Sequence, residues 1–118
     1  MRIDWESVHI YVRSGVTDMR KQINGLSAVV QEDFPSPALS GDLFLFCNRR
    51  RNRLKILYWQ RNGFCLWLKR LEKGQFVWPL SLKGDVVELS GDQLNWLIGG
   101  YDIFRFPPQE ALEYSAIT

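Results

Sequence analysis

The chain has 118 residues, of which 46% are hydrophobic and 14% aromatic, a composition typical of one folded domain over residues 1–118. Its apolar runs are too short to cross a membrane and its N-terminus does not fit a signal peptide, so we expect a reduced, cytoplasmic protein without a membrane partner. Two cysteines and one histidine cannot complete a four-ligand zinc site, so neither a metal nor a cofactor is predicted.

The formal net charge of +2 conceals a strong asymmetry along the chain. Between Arg49 and Lys73, nine cations stand against one acid, Glu72, which gives this segment a charge of +8. The remaining residues hold six cations and twelve acids, which gives −6. Such polarised patches usually mark a partner of opposite sign.

In chain order, the first predicted element is a strand over residues 8–12, because "VHIYV" is β-branched and aromatic. An amphipathic helix is predicted over 17–32. Thr17 and Asp18 resemble a helix start, and an apolar stripe follows them at helical spacing: Met19, Ile23, Leu26 and Val30. The prolines of "FPSPALSG" end this helix.

The middle of the chain predicts a four-stranded meander over 42–47, 54–61, 64–70 and 75–79. Asn62-Gly63 between two β-rich runs is a strong hairpin signal, and a two-residue turn there pairs Leu57 with Leu68. That face is the better core face, while the face of Tyr58 and Trp67 mixes aromatic side chains with a cation; a bulge would exchange the two.

A short helix is predicted near 91–99, opened by a capping box of Ser90 and Gln93 and closed by Gly99-Gly100. An edge strand over "YDIFRF" (101–106) follows it. The predicted fold class is therefore α+β, with a mainly antiparallel central sheet and the 17–32 helix on one face.

The turns of a meander alternate between its ends, so the 48–53 loop and the 71–74 turn should share one rim of the sheet. Arginine matches phosphate with a two-pronged fork, which favours nucleic-acid binding by this rim. A solvated turn is the plainer alternative. Tyr58 and Trp67 are candidates for base stacking or, alternatively, core residues. The candidate nucleic-acid-binding residues are Arg49, Arg50, Arg51, Arg53, Lys55, Lys69, Arg70 and Lys73.

The sequence does not predict an enzyme. Acids such as Asp18, Asp42, Asp85 and Asp92 are scattered near turns and caps rather than clustered as a metal-dependent nuclease needs. Neither a nucleophile motif nor a phosphate-binding glycine loop is present. We therefore assign no catalytic residue.

Four stretches of the sequence, in order, carry a resemblance to a known family. They are "GVTDMRK" (15–21), "GLSAVV" (25–30), the block from "SGDLFLFCNRRRNR" to "GQFVWP" (40–79) and "LSGDQLNWLIGG" (89–100). Together they look like the TnpB, or second-frame, accessory protein of the insertion-sequence family numbered sixty-six. The larger RNA-guided nuclease that is also named TnpB is a different protein. The sequence departs from the family at "FPSPALSG", which affects a linker.

The resemblance implies a product of a bacterial mobile element that assists transposition beside a separate transposase. It implies the element-encoded transposase and another accessory protein as partners, and it carries over no catalytic residues. DNA is a partner predicted from the basic rim. Two mechanisms stay open. In one, the basic rim binds DNA phosphates; in the other, the protein is an adaptor whose basic rim meets an acidic surface on the transposase or the other accessory protein.

Overall fold

The computed structural model describes residues 7–80 and 85–104. Its elements in chain order are β1 (Ile10–Arg13), α1 (Ile23–Asp33), a 3-10 turn (Ala38–Ser40), β2 (Leu43–Cys47), β3 (Arg53–Gln60), β4 (Gly63–Arg70), β5 (Val86–Leu89) and α2 (Gly91–Ile98). The five strands form one sheet in the order β4-β3-β2-β1-β5. β1 runs parallel to β2 and every other pairing is antiparallel, which confirms the predicted α+β class with a mainly antiparallel sheet.

Both faces of the sheet are buried. Helix α1 packs its apolar side on one face, as predicted, against Tyr11, Phe44, Phe46 and Leu57. Helix α2 covers the other face together with Phe76 and Trp78, and this second cluster, which includes Tyr58 and Trp67, is the larger of the two. The expectation that the Leu57 face is the better core face therefore holds only in part, because strands β1 to β3 bury side chains on both sides.

Helix α1 begins later than the predicted range of 17–32. Its first residue is Ile23, and its first helical hydrogen bond runs from the Leu26 amide to the Gln22 carbonyl, 2.9 Å. The reason lies outside the segment: the buried Lys55 ammonium donates to the carbonyl oxygens of Met19 and Lys21, at 2.9 and 3.0 Å. In addition, the Thr17 amide donates to the Cys47 carbonyl at 2.8 Å, and the Lys21 amide closes a turn onto the Asp18 carbonyl at 3.1 Å. These contacts hold residues 17–22 in an irregular path.

The predicted fourth meander strand, 75–79, is wrong. This segment crosses the rim end of the sheet from β4 towards β1: the Phe76 amide donates to the Arg51 carbonyl at 2.6 Å, and Pro79 accepts from the Gly15 amide at 2.8 Å. The Trp78 indole donates to the Arg13 carbonyl at 3.0 Å, which anchors the crossing in the core. The chain then enters β5, a strand that the sequence analysis missed.

The β3–β4 hairpin closes one residue earlier than predicted. Gln60 pairs with Gly63, so Leu57 lies opposite Leu66 rather than Leu68. Arg61 takes the positive φ of 58° that the turn requires. The register differs from the predicted one by two residues, and because side chains alternate with a period of two, every residue keeps its predicted face.

The C-terminal predictions are confirmed for α2. Ser90 and Gln93 form the reciprocal capping box, and Gly100, just past the helix, has a φ of 90°. The predicted edge strand over 101–106 is not formed at 101–104, and residues 105–106 lie outside the described residues. Across the described ranges, no helix is both long and apolar enough to span a membrane.

Candidate nucleic-acid interface

Asn48 organises the arginine loop between β2 and β3. Its side-chain oxygen accepts from the backbone amides of Asn52 and Arg53, both at 3.0 Å, and its amide nitrogen donates to the Asn52 side chain at 2.7 Å. Arg51 takes a φ of 58°, in the left-handed region, at the bend of the loop. These bonds satisfy the loop backbone from within. The side chains of Arg49, Arg50 and Arg53 are therefore left to face solvent, and all three are exposed.

The segment after β4 is bonded directly to this loop. The Leu71 amide donates to the Asn52 carbonyl at 2.7 Å, and the Gln75 side chain donates to the Arg50 carbonyl at 2.9 Å. The 48–53 loop and the 71–74 turn thus lie at one end of the sheet, as the meander predicted. We call this end the basic rim. Arg61 lies in the turn at the opposite end of β3.

A groove of about 540 Å³ opens in the basic rim. We call it the basic groove. One wall is the segment that follows β1, held in place where the Thr17 amide donates to the Cys47 carbonyl at 2.8 Å. The other wall is the arginine loop. The lining residues are Val16, Thr17, Asp18, Met19, Asn48, Arg49, Arg50, Asn52 and Arg53.

The one acid of the basic groove, Asp18, is already engaged. Its carboxylate accepts from the Arg20 guanidinium at 2.7 Å, and hydrogen bonds from the Arg20 side chain and backbone lower its pKa to about 2. Asp18 therefore stays ionised, and Arg20 balances its charge locally. The ion pairs found in residues 7–80 and 85–104 do not include Arg49, Arg50 or Arg53, so the net charge of the groove is positive.

Two arginines meet across the sheet beside the groove. Arg53 on β3 lies directly opposite Arg70 on β4. Like charges at opposed positions of an antiparallel pair are destabilising. Arg70 is in part balanced by Glu72, whose carboxylate lies 2.9 Å from its guanidinium.

Two of the candidate cations donate hydrogen bonds to backbone carbonyls inside the fold. Lys55 is only 6% exposed, and its ammonium bonds to the two carbonyls described above; burial, followed by the charge of Arg53, lowers its pKa. The half-buried Lys69 donates to the Ile98 carbonyl at 2.9 Å, at the C-terminus of α2 where a cation is favoured. Neither ammonium faces the basic groove.

The other candidates are distributed around the rim. Arg51 is half-buried, and Lys73 is exposed in the 71–74 turn. Of the two candidate stacking residues, Tyr58 is 6% exposed and burial raises its pKa, so its ring belongs to the core and offers no free face. Trp67 is partly buried against the same cluster. Base stacking by Trp67 stays a prediction.

The sequence analysis missed the polar residues that build the groove. Asn48 and Asn52 bracket the three consecutive arginines in "CNRRRNR", and this repetition was the available signal: asparagine side chains fix tight loops by bonding to nearby backbone. No comparable sequence pattern predicted that Thr17 lines the groove, because its position depends on the parallel pairing of β1 with β2.

Cys47 and Cys65 are free thiols, and burial raises the pKa of the Cys47 thiol to about 12. Within the part of the chain that the structure describes, there is no group of three or more His, Cys, Asp or Glu side chains placed to hold a metal ion.

Comparison with known proteins places the chain in a family. The family model described as "IS66 Orf2 like protein" matches residues 8–107, which includes the whole basic rim. The chain belongs to this family of insertion-sequence accessory proteins.

Two relatives from Sinorhizobium fredii (strain NBRC 101917 / NGR234) are named uncharacterized protein y4hO and uncharacterized protein y4jC. The first is 38% identical over 104 residues, 88% of this chain and 89% of the relative; the second is 33% identical over 98 residues, 83% of each. No solved structure matches the chain.

Proposed function

We propose that this protein assists transposition by binding DNA phosphates in the basic groove. Arg49, Arg50 and Arg53 are the primary contacts, and Arg51, Arg70 and Lys73 stand around them on the rim. The accessory role follows from the family; the DNA contact is our proposal from the groove.

The observation that carries this proposal is the uncompensated charge of the groove. Three exposed arginines line the cavity, and among its described lining residues the single acid, Asp18, is already paired with Arg20. Asn48 fixes the backbone of the loop that presents them, so little backbone conformational entropy is lost when they bind a partner. Guanidinium groups in a fixed arrangement match the oxygens of phosphates along a backbone.

This mode of binding predicts little sequence preference. Contacts to phosphate position a protein on a duplex but carry no direct information about the bases. In the described residues, the groove lining contains no aromatic side chain that would stack on a base. The acidic remainder of the chain disfavours wrapping of DNA around the whole domain, so we expect a local contact of about three to five phosphates and a log–log salt slope of roughly −3 to −4.5.

The adaptor mechanism is the second candidate, since an acidic protein surface would also satisfy the arginines. One experiment separates the two. The purified protein is titrated with a labelled duplex of element-end sequence and with an unrelated duplex of equal length, each with and without the transposase, in about 50 mM salt where counterion release favours binding.

If the proposal is right, the isolated protein binds both duplexes with similar affinity. The R49A/R50A/R53A variant then binds both duplexes more weakly and to a similar extent, while a K21A variant, which removes one exposed cation outside the groove, retains most of the affinity. If the isolated protein does not bind DNA in this buffer and the triple variant no longer binds the transposase, the protein is an adaptor and the proposal of direct DNA binding is wrong.

A further inference from the structure

Two polar side chains of the basic groove, Thr17 and Asn52, carry no charge. They belong to opposite walls, because Thr17 lies in the segment that follows β1 and Asn52 lies in the arginine loop. Threonine and asparagine side chains are common hydrogen-bond donors to DNA phosphates, alongside arginine and lysine. What Thr17 and Asn52 can contribute to the groove therefore depends on the hydrogen bonds that each already makes.

The Thr17 hydroxyl accepts a hydrogen bond from Arg13. The Arg13 Nη1 donates to Thr17 Oγ1 at 3.1 Å, and its Nε donates to the Asp33 carboxylate at 2.9 Å. A hydroxyl that accepts a bond still has one proton to donate. In residues 7–80 and 85–104, the Thr17 hydroxyl accepts this bond and donates to no acceptor. Its proton is therefore available to an oxygen atom that enters the groove.

Arg13 holds this hydroxyl in place and makes it a better donor. Its side chain is only 13% exposed, and Asp33, the last residue of α1, fixes the guanidinium. A hydroxyl that accepts a bond from such a group is polarised towards donating its own proton. Arg13 is not among the described residues that line the groove, so it is a positioning residue that acts through Thr17.

The orientation of the Asn52 amide is fixed by Asn48. The Asn48 side-chain oxygen accepts from two backbone amides, so its nitrogen is the atom that donates to Asn52 Oδ1, at 2.7 Å. The other atom of the Asn52 amide is therefore Nδ2, which has two hydrogen atoms to donate. Within the described part of the chain, neither of them is donated to an acceptor.

We propose that the Thr17 hydroxyl and the Asn52 side-chain amide donate hydrogen bonds to phosphate oxygens of a DNA strand that lies in the basic groove. We call these two side chains the neutral donors. The inference rests on the proposed function, since the arginines supply the charge that attracts the strand. Both neutral donors are held in position before DNA arrives, one by Arg13 and the other by Asn48, so little is lost in ordering them.

Salt dependence separates the neutral donors from the arginines. Loss of a cation that neutralises a phosphate flattens the log–log salt slope, whereas loss of a neutral hydrogen bond releases no counterion and lowers affinity by a similar factor at every salt concentration. The test is a titration of a labelled duplex of unrelated sequence at several salt concentrations from about 50 to about 200 mM.

T17V removes the hydroxyl and keeps the shape of the side chain. We expect it to bind the duplex about three- to tenfold more weakly than wild type, with the wild-type slope. N52A retains the two backbone amides that donate to Asn48 and should give the same result. T17S restores the hydroxyl and should bind within about twofold of wild type.

The matched control for loss of a hydroxyl is S27A. The Ser27 hydroxyl donates to the Asn24 carbonyl within α1, at 2.9 Å, and Ser27 is not among the described lining residues. S27A should leave both affinity and slope unchanged. Thermal unfolding of every variant checks that it is folded at the temperature of the titration.

The positioning role of Arg13 is tested by R13K with and without T17V. A lysine keeps the charge but lacks the planar fork that reaches Asp33 and Thr17 together. R13K should weaken binding about twofold or more in the wild-type background and have no further effect in T17V, because residues that act through one another are not additive. Equal weakening in both backgrounds would show that Arg13 does not act through Thr17, and would overturn the proposal.

The neutral donors are also overturned if T17V or N52A binds with wild-type affinity, if T17V flattens the slope, or if T17S binds as weakly as T17V. The proposed function fails by a different result, which is a wild-type slope in R49A/R50A/R53A. A flattened slope in that triple variant together with wild-type affinity in T17V leaves the groove as the DNA site and removes only the neutral donors.

Discussion

Cations of the basic segment fall into two groups that the amino-acid sequence presents as one. Those at the arginine loop, with Arg49 and Arg50 inside it and Arg53 at the first position of β3, are exposed and line a groove in which Asp18 is already paired. Those within the strands, Lys55 and Lys69, donate hydrogen bonds from their ammonium groups to backbone carbonyls. The acceptors of Lys55 lie just before α1, and the acceptor of Lys69 lies in the last turn of α2. Both groups are positively charged and belong to the same segment of the sequence. The three arginines are exposed and can contact a partner, whereas the two lysines are engaged inside the fold.

The difference follows from what each position can reach. A residue in the loop or at the very end of a strand has solvent on most sides, whereas a residue within a strand lies on one face and is covered by the element that packs there. Lysine suits the covered positions because its long apolar stem lies along the core while the ammonium bonds at the edge. The loop cations should therefore control binding, and the strand cations should control stability.

Loss of the Lys55 ammonium should have the largest effect on stability. K55M keeps the stem but leaves the Met19 and Lys21 carbonyls without their donor, and bonds to charged groups contribute about 1.5–3 kcal/mol. We expect the free energy of unfolding in urea to fall by about 2 kcal/mol. The matched control is K73M, at an exposed lysine of the same rim, which should change stability by less than about 0.5 kcal/mol. Equal losses in the two variants would contradict the division into two groups.

Loss of the Asn48 side chain should have an intermediate effect and should be the one change that lowers both properties. N48A removes the acceptor for the Asn52 and Arg53 amides, for which we expect a loss of about 1 kcal/mol. Because the loop then no longer holds its arginines in place, DNA affinity should also fall. N48D retains the acceptor oxygen and should preserve stability better than N48A, which thermal unfolding of the two variants would show.

The effect of Lys69 should be smaller, because the C-terminus of α2 is partly open to water. K69M should cost about 0.5–1 kcal/mol, the contribution of a cation near a helix C-terminus. Hydrogen exchange should accelerate in the last turn of α2 and not in the arginine loop. Faster exchange in the loop, or weaker DNA binding at constant stability, would place Lys69 with the binding cations instead.

Most of the architecture could be predicted from local sequence patterns. The strand at "VHIYV", the hairpin after β3 and the capping box of Ser90 are local signals, and each produced the expected element. The rim itself followed from topology, since alternate turns of a meander share an end. Even the two-residue error in hairpin register left the side chains on their predicted faces.

The failures share a physical cause, which is a contact between residues far apart in the chain. Thr17-Asp18 resembles a helix start, but the Thr17 amide donates to the Cys47 carbonyl. The Lys55 ammonium, more than thirty residues away in the chain, binds the carbonyls of Met19 and Lys21. Residues 75–79 resemble a strand, but Trp78 is held by the Arg13 carbonyl, 65 residues away. Lys55 and Lys69 were predicted to bind nucleic acid together with the arginines, because the sequence alone does not show which backbone carbonyls lie near each ammonium group.

The most direct test of the account is the salt dependence of DNA binding in four proteins: wild type, R49A/R50A/R53A, K55M and K69M. Because each neutralised phosphate contributes about −0.9 to the log–log slope, the triple arginine variant should flatten the slope by about 2.7, with stability unchanged within about 0.5 kcal/mol. Measured below their unfolding transitions, K55M and K69M should keep the wild-type slope. A triple variant with an unchanged slope, or lysine variants that flatten it as much as the arginine changes do, would contradict the claim that the loop arginines form the binding site.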